Sequence, residues 1–248
     1  MSFEFLAPDA ATPVDGRRPT LRSPIEWMHR RKGARFDERA GWRVVADFGA
    51  TRKEVAACRA AVGVADLSFL GKLELQGEPG GVAEIVAQLA GGATLEPGRA
   101  TLRDEVWWCP ITIRRVLAVT PPEATGPLRD ELEAAASDRR FASVHELTTT
   151  FGSNAVAGPL AREAFARATA LDLRPDRFPE AAFAPVSVAR TPGMVLRQHG
   201  DRYLHLFGAG FAQYAWTVFV DAAEHLGGRA VGVDALPVPR ASEVGTHA

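Results

Sequence analysis

The chain has 248 residues, 46% of them hydrophobic and 24% charged, which is ordinary globular composition and excludes a disordered or low-complexity protein. The 29 lysines and arginines nearly balance the 30 aspartates and glutamates, so a net charge of −1 gives no global pull towards nucleic acid or an anionic membrane. No uncharged apolar run approaches the ~18 residues of a membrane-spanning helix.

The first 22 residues, rich in Pro, Ala and Asp, read as a loose arm, and 241–248 as a tail. Patterning begins at Ser23-Pro24, where a capping hydroxyl, a first-turn proline and Glu26 predict a helix running to about Lys32 and stopping at Gly33. A second helix is expected from Arg52 to Ala61, closed by Gly63. Between Gly71 and Gly77, Leu73 and Leu75 alternate with Lys72, Glu74 and Gln76, as on a half-buried strand. Pro79 opens a helix to Leu89, with Val82, Ile85, Val86 and Leu89 on one face. Gly98 to Thr120 is rich in sheet formers, and Pro121-Pro122 ends it. A helix is predicted over 128–136, strands over 143–151, 183–190, 194–198 and 202–207, and helices over 159–168 and 211–225. Short interleaved elements and a hairpin across Gly200-Asp201 point to an α+β fold with mixed or antiparallel sheets and flanking helices.

One internal echo stands out. Val64-Ala-Asp66-Leu-Ser68 leads through a strand to Gly77-Glu-Pro79 and a helix, and Val144-His-Glu146-Leu-Thr148 leads to Gly158-Pro159 and a helix. The repeat predicts equivalent strand-helix units at 64–90 and 144–168, and two related halves of about 23–136 and 137–240 within a folded body of 23–240.

Searches for chemistry are mostly empty. Phosphate-binding glycine loops, HExxH and histidine pairs at metal spacing are absent, so no metal site is expected. Cys58 and Cys109 lie far apart and make neither a disulfide framework nor a zinc site; a cytoplasmic location is the simplest reading. Cys109 reads as a buried, inert thiol. His205, between Leu204 and Leu206, is expected to face away from the core. Trp107 and Trp108 face opposite sides of one strand: either both pack, or one faces a cavity that would suit a flat heteroaromatic ligand.

At the N-terminus, His29-Arg-Arg-Lys-Gly33-Ala34-Arg-Phe36 followed by Ala40-Gly41-Trp42 resembles the glycine-cleavage T-proteins (aminomethyltransferases). Glu54 to Lys72, with Arg59, Gly63-Val64, Asp66, Ser68 and Gly71-Lys72, is similar to the next motif of that family, and Pro97-Gly98-Arg99, Gly158-Pro159 and Asp172 fit its later segments. From about Val144 to Gly228 the chain also resembles the γ subunit of heterotetrameric sarcosine oxidase, notably at Arg174-Pro175, Phe178-Pro179 and Phe211-Ala-Gln-Tyr214-Ala-Trp216.

The resemblance implies a folate-binding fold of two ferredoxin-like halves, without the small C-terminal barrel that T-proteins carry. It also implies chemistry: an aspartate in a G-G-x-x-D-D turn activates transfer to tetrahydrofolate, and a glutamate in T-G-Y-T-G-E grips the pterin edge through paired hydrogen bonds. Here the first segment reads Asp104-Glu105-Val-Trp-Trp-Cys109-Pro110, and Leu196 stands at the glutamate position. Of the domain's closing motif, Gly232, Ala235 and Arg240 remain.

The implied protein is therefore an aminomethyltransferase-like folate-domain protein of one-carbon or N-methyl metabolism with a degenerate site, its tetrahydrofolate binding weak or lost. Asp104 and Glu105 are the acid/base candidates, or else a polar hairpin tip. Arg99 and Arg240 are candidate anion anchors, Trp107 and Trp108 a stacking surface, and any pocket should lie near Ser68, Leu70, Arg99–Glu105 and Leu196. Two alternatives remain: a non-catalytic γ-like subunit of an oxidase or demethylase complex, and a folate-independent tailoring enzyme. The loss of the barrel predicts an oligomer, with itself or with a larger partner, through Phe207, Phe211, Tyr214 and Trp216.

Overall fold

The computed structural model describes residues 20–137, 139 and 141–237. In chain order the elements are β1 (Leu21–Arg22), α1 (Glu26–Arg31), β2 (Arg35–Arg39), β3 (Trp42–Asp47), α2 (Thr51–Ala60), β4 (Gly63–Asp66) and β5 (Gly71–Gln76). Then come α3 (Pro79–Leu89), β6 (Thr101–Arg103), β7 (Val106–Thr112), β8 (Arg115–Thr120), α4 (Pro122–Ser137) and β9 (Ser143–Glu146). The last stretch holds β10 (Phe151–Ala157), α5 (Ala161–Ala166), β11 (Phe183–Val188), β12 (Thr191–Arg197), β13 (Arg202–Gly208), α6 (Ala212–His225) and β14 (Arg229–Ala230).

The strands form a five-stranded sheet in the order β6-β7-β8-β5-β9, a six-stranded sheet in the order β11-β12-β13-β10-β4-β14, and a small sheet β1-β3-β2. The α+β class with mixed sheets and flanking helices is therefore as expected. The two large sheets lie face to face. Strand alternation decides what each layer contains. Along β7, Trp107 and Cys109 point to the other sheet and meet Leu196, Leu204 and Leu206. Val106 and Trp108 point the other way and pack under α3 and α4, against Val82, Ile85 and Leu132. The outer face of the six-stranded sheet, with Val64, Val156, Tyr203 and Phe207, packs under α5 and α6 against Phe165, Trp216 and Phe219.

The two units of the sequence echo share one topology. β4 crosses to β5 in the other sheet and leads to α3, and β9 crosses to β10 in the other sheet and leads to α5. The crossings run in opposite directions, so each unit lends its first strand to the sheet of its counterpart: β4 pairs antiparallel with β10, and β9 with β5.

Three elements depart from the sequence reading. The expected single strand over 143–151 is two strands, β9 and β10, parted by the crossover at 147–150. Helix α4 starts at Pro122 rather than near 128: Pro122 takes the first helical position, where its missing N–H costs nothing, and Pro127 lies inside the helix, where it leaves the Glu123 carbonyl without its i→i−4 donor. The β2–β3 hairpin was not foreseen; its turn is Ala40-Gly41, with φ of 46° and 78°, so alanine stands where Asn or Asp usually signals such a turn. His205 also corrects its expectation. The sheet is covered on both faces, so the side opposite the Leu204 and Leu206 layer is core as well, and His205 is fully buried among Phe165, Phe207 and Phe219.

Two expected outcomes follow from this packing. Gly158 has φ of 129°, and an added Cβ would lie 2.6 Å from the Ala61 carbonyl oxygen and 2.7 Å from that of Cys58. Gly158→Ala should lower stability by about 2 kcal/mol or more in a urea titration, well beyond Gly200→Ala, whose φ of 64° lies in the milder left-handed region and which has open space around it. Burial pushes the His205 imidazole down to about 3 from its ordinary 6.5. The unfolded chain takes up this proton near 6.5 and the folded one resists it, so the stabilisation is complete above about 6.5 and is lost as pH falls towards about 3. Urea midpoints measured from pH 7 to 4 should fall, and His205→Phe should flatten that slope by about 1.4 kcal/mol per pH unit.

Candidate functional site

The two crossovers pass beside each other and are joined by buried polar groups. Asp66 closes β4. Its Oδ1 accepts from the Ser68 N–H at 2.9 Å, and its Oδ2 accepts from His29 Nε2 at 2.8 Å and from the Ser23 hydroxyl. Burial works to raise this carboxyl, but the bonds from His29, Ser23 and Ser68 outweigh it and hold the group below its ordinary value. Ser153 on β10 donates its N–H to Ser68 Oγ at 3.2 Å and its hydroxyl to the Leu67 carbonyl at 2.6 Å. The Lys72 ammonium donates to the Ser68 carbonyl at 2.8 Å, and the Lys72 N–H to Thr148 Oγ1 at 3.2 Å. Burial pushes Lys72 down to about 7, against the opposing pull of Asp66.

A cavity of about 10 Å³ adjoins this cluster, lined by Ser23, Trp42, Arg43, Asp66 and Ser68 among others. That is room for one water and not for a heterocycle. A wider, open groove of about 620 Å³ lies on the outer face between α3 and α4, lined by Gln88, Leu89, Glu131, Ala134, Ala135 and Arg139. None of the residues expected to form a site lies in it.

The expected site residues are distributed over several places. Ser68 and Leu70 lie in the β4–β5 crossover, Ser68 buried and Leu70 half-buried against the layer between the sheets. Trp107 and Leu196 are buried in that layer, and the Trp107 ring centroid is 5.5 Å from that of His199. Trp108 is buried on the opposite face of β7. Arg99 is exposed, its backbone bridging to Ala182. Asp104 and Glu105 are exposed and form the two-residue β6–β7 turn, with φ of 48° and 63°. Arg240 lies outside the described residues. The fold thus gathers Leu70, Trp107 and Leu196 in one apolar layer, with the acids on a turn at the rim. Cys109 is fully buried in the same layer, which pushes its thiol up and leaves it unreactive.

The roles of His29, Asp66 and Lys72 escaped the motif search, although all three stand in the quoted family motifs. The acid-Leu-hydroxyl echo marks where the crossovers meet and so points to Asp66 and Ser68, whereas His29 and Lys72 carry no such signal. Chemically the cluster is a clamp: Asp66 is spent on His29, Ser23 and the Ser68 N–H, and His29 engages it through Nε2, with both side chains buried. Among the described residues no three side chains are grouped to hold a metal ion, and no helix is long and apolar enough to cross a membrane.

The comparisons agree with this architecture. A probable aminomethyltransferase of Halobacterium salinarum is 31% identical over 153 residues, covering 55% of this chain and 42% of that protein. The aminomethyltransferase of Saccharopolyspora erythraea is 26% identical over 229 residues, covering 86% of this chain and 60% of that one. The chain therefore spans less than two thirds of these relatives. Among solved structures, glycine cleavage aminomethyltransferase T of Bartonella henselae superimposes with a TM-score of 0.70 at 19% identity, over 87% of this chain and 60% of that one. A chain of heterotetrameric sarcosine oxidase from a Corynebacterium species gives 0.61 at 20% identity, over 76% of this chain and 95% of that one. Residues 25–245 match the GCVT N-terminal domain family, and the chain belongs to that family.

Proposed function

We propose that this chain is an aminomethyltransferase-like folate-domain protein of one-carbon or N-methyl metabolism whose catalytic and pterin sites are degenerate. The observation that carries the reading is Leu196. It stands where the family resemblance expects the pterin-gripping glutamate, and it is fully buried in the apolar layer beside Trp107. An aliphatic side chain makes no hydrogen bond to a pterin edge, and an unpaired edge costs about 1–3 kcal/mol. The cavity beside Ser68 is too small for the ring, and Asp104 and Glu105 stand exposed on their turn. The residues present do not fit tetrahydrofolate.

A second reading, a non-catalytic γ-like subunit of an oxidase or demethylase complex, has its own support. The chain shares its fold with a chain of a heterotetrameric oxidase. Part of the aromatic surface expected to bind a partner is also accessible: Phe211 is 44% exposed and Tyr214 49%, whereas Phe207 and Trp216 fill the core.

Calorimetry with tetrahydrofolate should show no micromolar binding; micromolar or tighter affinity would restore the transferase reading. Asp104→Asn and Glu105→Gln should leave stability unchanged within about 0.5 kcal/mol, as at exposed turn positions. Light scattering at micromolar concentration, with and without the products of adjacent genes, should give a species larger than one 26.6 kDa chain. Phe211→Ser with Tyr214→Ser should return it to the monomer, and a monomer indifferent to every candidate partner rejects the subunit reading.

A further inference from the structure

Asp66, Asn154 and His205 are register partners on three adjacent strands, so their side chains stand in one row on one face of the sheet. That face is the one α6 lies across. Asp66 is fully engaged by Ser23, His29 and Ser68. Its neighbours in the row are not. Among the described residues, both amide atoms of Asn154 and both ring nitrogens of His205 lack any hydrogen-bonding group, and each residue is fully buried. The same holds at the start of the row, where His29 Nδ1 and Trp216 Nε1 are also buried without a partner and the two rings meet edge-on at 4.6 Å.

Six unpaired polar atoms on four side chains cannot be borne dry. Leaving all of them without a partner would consume much of the marginal stability of a domain this size. The atoms fall into two couples, each offering both a donor and an acceptor. Asn154 supplies an NH2 and a carbonyl beside a neutral imidazole. Trp216 supplies an N–H beside the ring nitrogen that His29 keeps free while Nε2 faces Asp66. Cross-strand Cβ atoms are about 4.5–5.5 Å apart, a span that one bridging molecule covers. Gly193 gives room to the imidazole itself, since an added Cβ would lie 2.9 Å from His205 Nε2.

We propose that the interface between α6 and the six-stranded sheet is an internal hydration site, with ordered water bridging Asn154 to His205 and His29 to Trp216. The walls exclude other occupants. Phe165, Phe207 and Phe219 ring His205, and the one carboxylate in the row, Asp66, has its oxygens already used, so nothing there balances an ion. Water needs two to four polar partners, which these side chains supply.

The sign of a stability change tests this. In a wet site, Asn154→Leu strips the bridging water of a partner and should lower the folded-to-unfolded ratio roughly tenfold. In a dry one, the same near-isosteric change removes an unsatisfied amide and raises the ratio. The double variant with His205→Phe should be non-additive if water links the pair. NMR on the unaltered chain gives a readout independent of folding: the Asn154 side-chain NH2 and the Trp216 indole N–H should show cross-relaxation with water. Stabilisation by Asn154→Leu, or indole and amide protons without such contact, overturns the proposal.

Discussion

The Asp66 carboxylate is the point on which the architecture turns. It sits where β4 leaves one sheet for the other, and it ties three pieces of chain together: the α1 segment through Ser23 and His29, its own crossover through Ser68, and, through Ser68, Ser153 on β10. A buried carboxylate is tolerable only when its lone pairs are met. Here meeting them also fixes the angle at which the chain changes layers. Lys72, two residues into the next layer's territory, uses its ammonium on the same Ser68 peptide, so both buried charges serve the crossing.

Much of this was legible in the sequence, for a physical reason. Helices α3 and α6 show clean periodicity because each packs one face against a sheet, and β5 alternates Leu73 and Leu75 with polar residues, whereas β12 and β13 are buried on both faces and read only as runs of sheet formers. The crossover inside 143–151 was not visible, because the β-branched run Thr148-Thr149-Thr150 carries sheet-forming character through the turn. The β2–β3 hairpin hid behind an Ala-Gly turn. His205 was misread because alternation tells which residues share a face; it does not tell whether that face is wet. Only the covering helix, far along the chain, makes it core.

The site divides along similar lines. The departures at Asp104-Glu105 and Leu196 were legible because a resemblance supplies what should stand there. The convergence of His29, Asp66 and Lys72 was not, since they lie on three elements brought together by strand exchange. Trp107 and Trp108 show the limit of local reasoning: their opposite orientations followed from the pleat, but which layer each enters depends on the partner sheet.

Strand exchange also governs the order of assembly. β4 pairs with β10 at residues 88 positions apart, Asp66 with Asn154, and with β14 across an even longer separation, Val64 with Ala230. On the ribosome, the first half emerges with β4 unsatisfied on both edges, and β5 waits for β9. Neither sheet is complete until sequence from beyond the midpoint has appeared. Such non-local pairing slows folding and prolongs the exposure of open strand edges. The chain is thus built to acquire its structure late and all together, so a nascent chain stalled halfway would be a client for chaperones instead of a preformed half-domain.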